Sequence, residues 1–200
     1  KSAPPLFENR PEITLDSTYT YFYQTGVPVS LQITTNRPAD AFAGTGLPPG
    51  LEVNSTSGFI TGIPSLTGSF TSTLEASNQF GSYGKTLVLE IRDYSAWRFS
   101  SVITFPGYTG VSEISDFPVY LELNDSLPGF TYEQFASPYG YDLRFVSIAT
   151  NEELEYEVVN WDPTGKSSFW LKLPKLDGTT SIKALWGNQS ALVQPEYSKE

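Results

Sequence analysis

The chain of 200 residues contains no cysteine, no methionine and no histidine. Without cysteine no disulfide framework can form, so each domain must bury a hydrophobic core of its own. The same absences exclude catalytic triads built on histidine or cysteine and zinc sites of the usual kind. Because secreted proteins without disulfides are more typical of bacterial surfaces than of eukaryotic ones, we expect an extracellular, cell-surface protein.

Basic residues are also scarce, with 12 Lys and Arg against 22 Asp and Glu and a net charge of -10. Such a surface repels phosphate backbones, which argues against nucleic acid as a partner. No apolar segment approaches the roughly 20 residues that a membrane-spanning helix needs, so we expect no membrane span in this fragment. The polar, proline-rich start at residues 1–5 is typical of a cut fragment or a mature product.

The pattern that is present is one of short β-strands. Thr, Val, Ile, Tyr and Phe occupy the apolar positions, turn-forming residues interrupt them every few positions, and no helical period is sustained. Residues 29–33 alternate between apolar and polar, as in a strand with one buried face. Strands are also predicted at 18–23, 69–76 and 85–91. This spacing predicts an all-β fold of consecutive antiparallel β-sandwiches.

The most specific stretch is residues 46–64. Pro48 and Pro49 fix the backbone angle φ and remove two amide donors, so they predict a rigid turn rather than a central strand. Gly50 then permits a sharp change of direction. Residues 54–58 are rich in types that tolerate left-handed backbone, which predicts a hairpin between two strands.

Several short motifs lie in and after this hairpin: Gly46-Leu-Pro-Pro-Gly-Leu51, Thr56-Ser-Gly58, Ile60-Thr-Gly62, Pro64, Gly68-Ser-Phe70 and Ala76-Ser-Asn78. Together they resemble the putative immunoglobulin family known as He-PIG, which occurs as cadherin-like repeats in large bacterial surface proteins. The resemblance covers roughly Pro11 to Ile91. It implies that residues 1–94 form an immunoglobulin-like spacer domain.

A new segment opens after Tyr94, and residues 95–200 are predicted as a second β-domain. Its motifs are Trp97-Arg98, Asp116-Phe117-Pro118, Asp142-Leu143-Arg144-Phe145, Tyr156-Glu157, Trp161-Asp162, Phe169-Trp170-Leu171-Lys172-Leu173-Pro174 and Trp186-Gly187-Asn188. From Trp97 to about Asn188 they resemble the bacterial module called domain of unknown function 2341. The resemblance implies a second sandwich, jelly-roll-like or immunoglobulin-like, beside further domains of the same chain. It brings no established catalytic residues.

Aromatic side chains make the second segment a candidate carbohydrate-binding domain, because their rings pack on the apolar faces of sugars while Asp and Arg bond the hydroxyls. A loop dense in aromatics spans residues 130–141. The alternative is that these rings cover the edges of the sandwich. Trp170 and Trp186 are predicted to be core because they lie in apolar strands. The predicted ligand-binding residues are Tyr132, Phe135, Tyr139, Tyr141, Trp161, Asp142 and Arg144.

Calcium is the one cofactor that the composition suggests, and it needs six to eight oxygen ligands. Candidates stand in oxygen-rich turns, near the first strand and at the domain junction: Glu12, Asp16, Asp93, Asp125 and Asp162. Asp residues are also ordinary turn formers, which is the alternative. Glu153, Glu155 and Glu157 alternate along one strand and are interpreted as a solvated face.

The sequence therefore predicts a non-catalytic module of a large bacterial surface or secreted protein. It would combine a spacer with a domain for adhesion or carbohydrate binding, whose partners are glycans or other surface proteins. Two alternatives stay open. One is a purely structural building block of a fibre, stalk or layer, and the other is an accessory part of a glycan-active enzyme.

Overall fold

The computed structural model describes residues 9–110 and 112–198, so the first eight and last two residues of the predicted domains lie outside it. The chain divides between Asp93 and Tyr94 into two compact units, whereas the sequence places the boundary after Tyr94. The predicted fold class is confirmed, because both units are β-sandwiches and no α-helix occurs among the described residues. The described part of the chain also contains no apolar helix of membrane-spanning length.

The described residues of unit 1, from residue 9 onward, form seven strands in two sheets. One sheet has the order β1-β7-β6-β3 and the other β2-β5-β4, and the pairing is antiparallel except between β1 and β7. Alternating apolar residues of both sheets, such as Leu74 and Leu87 from one and Ile60 from the other, meet in a single core. The strands are β1 (Thr20–Gln24), β2 (Val29–Gln32), β3 (Ala41–Thr45), β4 (Leu51–Val53), β5 (Phe59–Gly62), β6 (Gly68–Asn78) and β7 (Gly81–Arg92).

The predicted hairpin forms as β4 and β5, and two glycines set its geometry. Gly50 has φ +95° and Gly62 has φ +136°, both in the left-handed region. A Cβ on Gly50 would lie 2.1 Å from the carbonyl oxygen of Ile63, and one on Gly62 would lie 2.0 Å from that of Gly50. Only glycine fits where two backbones approach so closely. In the loop, the side chain of Asn54 accepts hydrogen bonds from two backbone amides.

The remaining differences in unit 1 have simple causes. Strand β3 is not predicted, because Ala41–Thr45 has one bulky apolar side chain and so shows no alternation. Strands β6 and β7 extend further than predicted. Gly84 lies between the strands predicted at 69–76 and 85–91, but it pairs with Glu75 inside the ladder, so the hairpin turns at residues 79–80.

In the part of unit 2 that the structure describes, seven strands form two sheets in the orders β11-β10-β14-β8 and β12-β13-β9. Its core joins both sheets through large side chains such as Phe145, Phe169 and Trp186. Two short 3-10 turns, Tyr132–Gln134 and Glu196–Ser198, lie outside the sheets. The strands are β8 (Phe99–Thr104), β9 (Ile114–Leu123), β10 (Arg144–Ser147), β11 (Glu153–Leu154), β12 (Tyr156–Asn160), β13 (Ser167–Leu176) and β14 (Ser181–Trp186).

Candidate functional site

The outer face of the sheet β12-β13-β9 carries exposed aromatic side chains. In β13 the odd positions Phe169, Leu171 and Leu173 are each only 1% exposed and fill the core. Because successive side chains of a strand point to opposite faces, Trp170 and Lys172 point outward. Trp170 is 45% exposed, so the prediction that it is core is wrong. The same prediction for Trp186 is confirmed, since its side chain is 1% exposed.

Three side chains form one row across this face. Trp170 on the central strand pairs with Glu157 of β12 on one side and with Tyr120 of β9 on the other. The Trp170 and Tyr120 rings meet edge to face with centroids 5.3 Å apart, and Tyr120 is 46% exposed. We call Glu157, Trp170 and Tyr120 the sheet-face row.

Two members of the sheet-face row, Glu157 and Trp170, line an open groove of about 440 Å³. This volume lies within the range of roughly 300–1,000 Å³ that small-molecule sites occupy. We call this space the β13 groove. Its lining includes Asp116, Glu155, Glu157, Trp170, Lys172 and Tyr197.

The charges around the groove are unequally paired. Lys172 Nζ lies 2.9 Å from a carboxylate oxygen of Asp116, and Lys166 Nζ lies 2.9 Å from one of Glu122. These hydrogen bonds raise the pKa of both lysines. Within residues 9–110 and 112–198, the exposed side chain of Glu157 forms no ion pair or hydrogen bond. Each lysine positive charge is thus matched, while the carboxylate beside Trp170 is not.

Glu155, which lies between β11 and β12, also lines the groove and adds to this negative charge, and its carboxylate helps to raise the pKa of Lys172. Burial and the nearby Glu155 carboxylate together raise the pKa of Glu152. The single strand predicted through the three glutamates is wrong, because the chain breaks at Glu155 between β11 and β12. Glu155 and Glu157 are nevertheless exposed, as predicted. Glu153 differs, because it is half-buried and lies 3.1 Å from the guanidinium Nε of Arg144.

The C-terminal segment supplies the far wall of the groove. The hydroxyl of Tyr197 donates a hydrogen bond to Glu153, and its ring packs against that of Tyr156. Burial and the charge of Glu153 raise the pKa of Tyr197, so its phenol stays neutral. The hydrogen bond between Tyr197 and Glu153 links the turn Glu196–Ser198 to strand β11. It therefore holds the Tyr197 side of the groove in position.

The aromatic loop predicted from the sequence lines a different groove. Tyr139 is 66% exposed and its ring lies 5.4 Å from that of Tyr141. Trp161 donates from its indole nitrogen to the carbonyl of Pro138 at 2.8 Å. These three aromatics, with Gln194, line a groove of about 330 Å³. The structure thus brings together three of the seven predicted ligand-binding residues.

Tyr132 and Phe135 have structural contacts in the same region. Their rings pack against Phe130, which is itself buried against Trp186. The Tyr132 hydroxyl donates to the carbonyl of Leu123 and accepts from the amide of Ser167. Both aromatics are half-buried and close one end of the sandwich.

Asp142 and Arg144 also have their polar atoms engaged within the protein. Asp142 is fully buried, and its carboxylate accepts hydrogen bonds from the amides of Ala136, Ser137 and Gly187 at 2.7–3.0 Å. Arg144 donates to two backbone carbonyls, pairs with Glu153 and lies over the ring of Trp97.

The calcium candidates stand in separate local environments. Asp16 and Asp162 each accept from the hydroxyl and amide of a threonine two residues on, which lowers the pKa of both carboxyls. Glu12 bonds the side chain of Asn36, Asp125 is exposed in the turn after β9 and Asp93 ends unit 1. No group of three or more acidic side chains able to hold a metal occurs among the described residues. Calcium binding stays a prediction.

Sequence reasoning missed the sheet-face row, although a signal was present. The alternation in β9 assigns Val119, Leu121 and Leu123 to the core, which leaves Tyr120 outward. The same period in β13 places Trp170 and Lys172 opposite the core positions. Neither pattern shows which strands are neighbours. The contact between Tyr120 and Trp170 therefore could not be predicted from alternation alone.

Comparison with known families confirms both resemblances in the predicted order. Residues 11–92 match the family described as putative Ig domain. Residues 139–196 match the domain of unknown function DUF2341. The second match begins later than the predicted start at Trp97. No curated protein matches the chain.

Among solved structures, similarity is partial. A putative α-galactosidase/melibiase and a putative α-galactosidase, both from Bacteroides fragilis NCTC 9343, are 26% and 31% identical over 44% and 46% of this chain, each with a TM-score of 0.39. The chain spans 19% of the length of each. A Bacteroides ovatus mixed-linkage glucan utilization protein, SGBP-B, in complex with a mixed-linkage heptasaccharide, is 14% identical over 80% of this chain and 39% of that one, with a TM-score of 0.32.

Proposed function

We propose that this chain is a non-catalytic module of a bacterial surface or secreted protein, in which unit 2 binds glycan through the sheet-face row. The observation that carries the proposal is the exposure of Trp170 and Tyr120 side by side on the outer face of β13 and β9. Flat aromatic rings pack against the apolar faces of pyranose rings. Carboxylates beside them are acceptors for sugar hydroxyls.

Neither ring is needed to complete the core. The inward positions of the same strands are already filled by Leu171 and Val119 at the neighbouring register position. Large aromatics that are exposed together on a surface are typical of interaction sites rather than of packing. Trp170 also lines a groove whose volume is within the range of small-molecule sites.

Binding without catalysis fits the chemistry of the chain. There is no histidine or cysteine to act as a base or nucleophile. Glu155 and Glu157 are two residues apart and line the same groove, whereas glycosidases place two carboxylates on either side of the scissile bond. Unit 1 would act as the spacer that carries unit 2 away from its attachment, as its immunoglobulin-like fold suggests.

A glycan array tests the proposal with three single variants of the whole chain. Trp170→Ala and Tyr120→Ala remove the rings of the sheet-face row, while Tyr139→Ala removes the most exposed ring of the other groove. We expect the first two variants to lose roughly tenfold in affinity for the bound glycan, because removal of an aromatic ring that packs on a nucleobase costs about 1–3 kcal/mol and packing on a sugar ring is of the same kind. Tyr139→Ala should bind as the wild type does.

Val102→Ala is the matched control for loss of exposed apolar surface. Val102 is 57% exposed on β8, in the other sheet of the same unit. It should leave binding unchanged. Loss of binding in Tyr139→Ala with retention in Trp170→Ala would assign the site to the loop. Absence of binding to any glycan would contradict the proposal.

A further inference from the structure

Deepening the proposed function on which it rests, we infer that the β13 groove selects glycans that carry free, positively charged amino groups. The ligand class is hexosamine polymers without N-acetyl groups. Their rings would pack on Trp170 while an ammonium group lies beside Glu157. The inference starts from the distribution of charge around the sheet-face row.

The positive charges of the groove are already neutralised. Lys172 is paired with Asp116 at 2.9 Å, and it is the one cationic side chain among the described residues that line the groove. Lys166, at the end of the same face, is paired with Glu122 at 2.9 Å. A bound uronate or sulfated sugar would therefore find no unpaired cation here.

The negative charges of the groove are in excess. Glu157 stands next to Trp170 in the register and has no partner among the described side chains. Glu155, which lies just before β12, lines the same groove, so the carboxylates of Asp116, Glu155 and Glu157 face the single lysine there. A cation placed over the Trp170 ring would be attracted both by the ring and by the neighbouring carboxylates. The net charge of -10 extends the same attraction over longer distances.

A metal ion is not the cation that this arrangement fits. Calcium needs six to eight oxygens around one point. Glu155 and Glu157 stand at separate points of the groove lining, and no metal-holding group of three carboxylates occurs within the described residues. Carboxylates separated in this way instead suit ammonium groups repeated along a chain.

A basic peptide is the other ligand with this charge, and the sheet disfavours it. β13 is the central strand, so its backbone donors and acceptors are paired with β12 and β9. A peptide therefore cannot add to this face as a new strand. Recognition must pass through side chains, and an aromatic ring in an open groove suits the face of a sugar better than an extended backbone.

Titration calorimetry on the whole chain tests the inference with two probes of equal length. One is a fully deacetylated glucosamine oligomer, and the other is the N-acetylated oligomer. At low salt and a pH where the amines are charged, we expect the deacetylated oligomer to bind at least about tenfold more tightly, the gain of one charge-assisted hydrogen bond. The preference should shrink when the pH is raised until the amines are neutral, and when salt is added.

Variants separate the charge from the ring. Glu157→Gln should reduce the preference for the deacetylated oligomer and keep the affinity for the acetylated one. Trp170→Ala should weaken both. Glu75→Gln removes the same charge from an exposed position on β6 of unit 1, and it should leave the preference unchanged.

The outcomes distinguish the inference from the proposed function. Equal affinity for the two oligomers, or a preference for a polyuronate, would overturn the inference while leaving glycan binding by the sheet-face row intact. Poly-lysine binding that is as tight, and that survives Trp170→Ala, would show attraction to charge alone and would also overturn it. Failure of every glycan to bind would remove the proposed function itself.

Discussion

Trp170 and Tyr120 face each other across the β13-β9 pair with their ring centroids 5.3 Å apart and their planes at 62°. This edge-to-face arrangement is one that aromatic pairs prefer, so each ring holds the other in place. Both rings keep nearly half of their surface in contact with solvent. The pair is therefore ordered at the surface and available to a ligand.

Trp170 and Trp186 both lie in apolar strands, but their replacement by alanine should change the free energy of unfolding by very different amounts. Trp186→Ala removes a buried ring and the indole bond to Gln134, so it should cost about 3–5 kcal/mol. Trp170→Ala should cost about 1–2 kcal/mol because half of the ring is already exposed. Urea denaturation of each variant gives both values. Equal losses would mean that Trp170 supports the core.

The hairpin glycines of unit 1 give a second test. Gly50→Ala would place a Cβ 2.1 Å from a backbone oxygen, so we expect a loss of about 3 kcal/mol or more. Gly26→Ala is the matched control, because Gly26 has φ +74° with no atom within 4 Å of the added Cβ. It should cost only about 1–2 kcal/mol, the strain of the backbone alone. Thermal melts that show the same loss for both would refute the role of close approach.

Asp142 should be a structural residue of unit 2. Asp142→Ala leaves the buried amides of Ala136, Ser137 and Gly187 without their acceptor, so the free energy of unfolding should fall by about 3 kcal/mol or more. The exposed Asp125→Ala should change it by less than about 0.5 kcal/mol. Chemical denaturation provides both measurements. A stable Asp142→Ala variant with altered glycan binding would instead favour the ligand role predicted from the sequence.

Unit 2 should lose stability in alkali. Burial raises the pKa of Tyr156 to about 12 from its ordinary value of 10.0. The folded chain therefore holds this proton more tightly than the unfolded chain does. The stabilisation is complete below pH 10 and is lost as the pH rises towards 12.

Tyr156→Phe is the variant that isolates this effect. It removes the hydroxyl that donates to the carbonyl of Leu143 at 3.0 Å, which should cost about 1 kcal/mol at neutral pH. Its stability should then fall less steeply between pH 10 and 12 than that of the wild type. The midpoints of urea denaturation, measured for both proteins between pH 10 and 12, test this expectation. It would be contradicted if the midpoints of the wild type and the variant fell equally steeply with pH.

Much of the fold follows from local patterns. The alternation at residues 29–33 and the glycine-closed hairpin at residues 46–64 predict strands that the structure contains. The missed strand β3 and the long β6-β7 ladder depend on pairing with neighbours, which supplies hydrogen bonds where the side-chain pattern is weak. The site was less predictable for the same reason. Tyr139, Tyr141 and Trp161 do come together, but Asp142 and Arg144 are engaged within the protein.

The sequence by itself determined the all-β class, the acidic surface and the two family resemblances, because composition, period and turn residues are local properties. Tertiary structure decided which aromatic residues are buried. Trp170 and Trp186 lie in strands of similar apolar character, yet one lies at an outward position of a central strand and the other in the core. The packing of the two sheets against each other determines which face of a strand is buried. Strand pairing then places Glu157, Trp170 and Tyr120 in one row, and that pairing is a property of the assembled sheet.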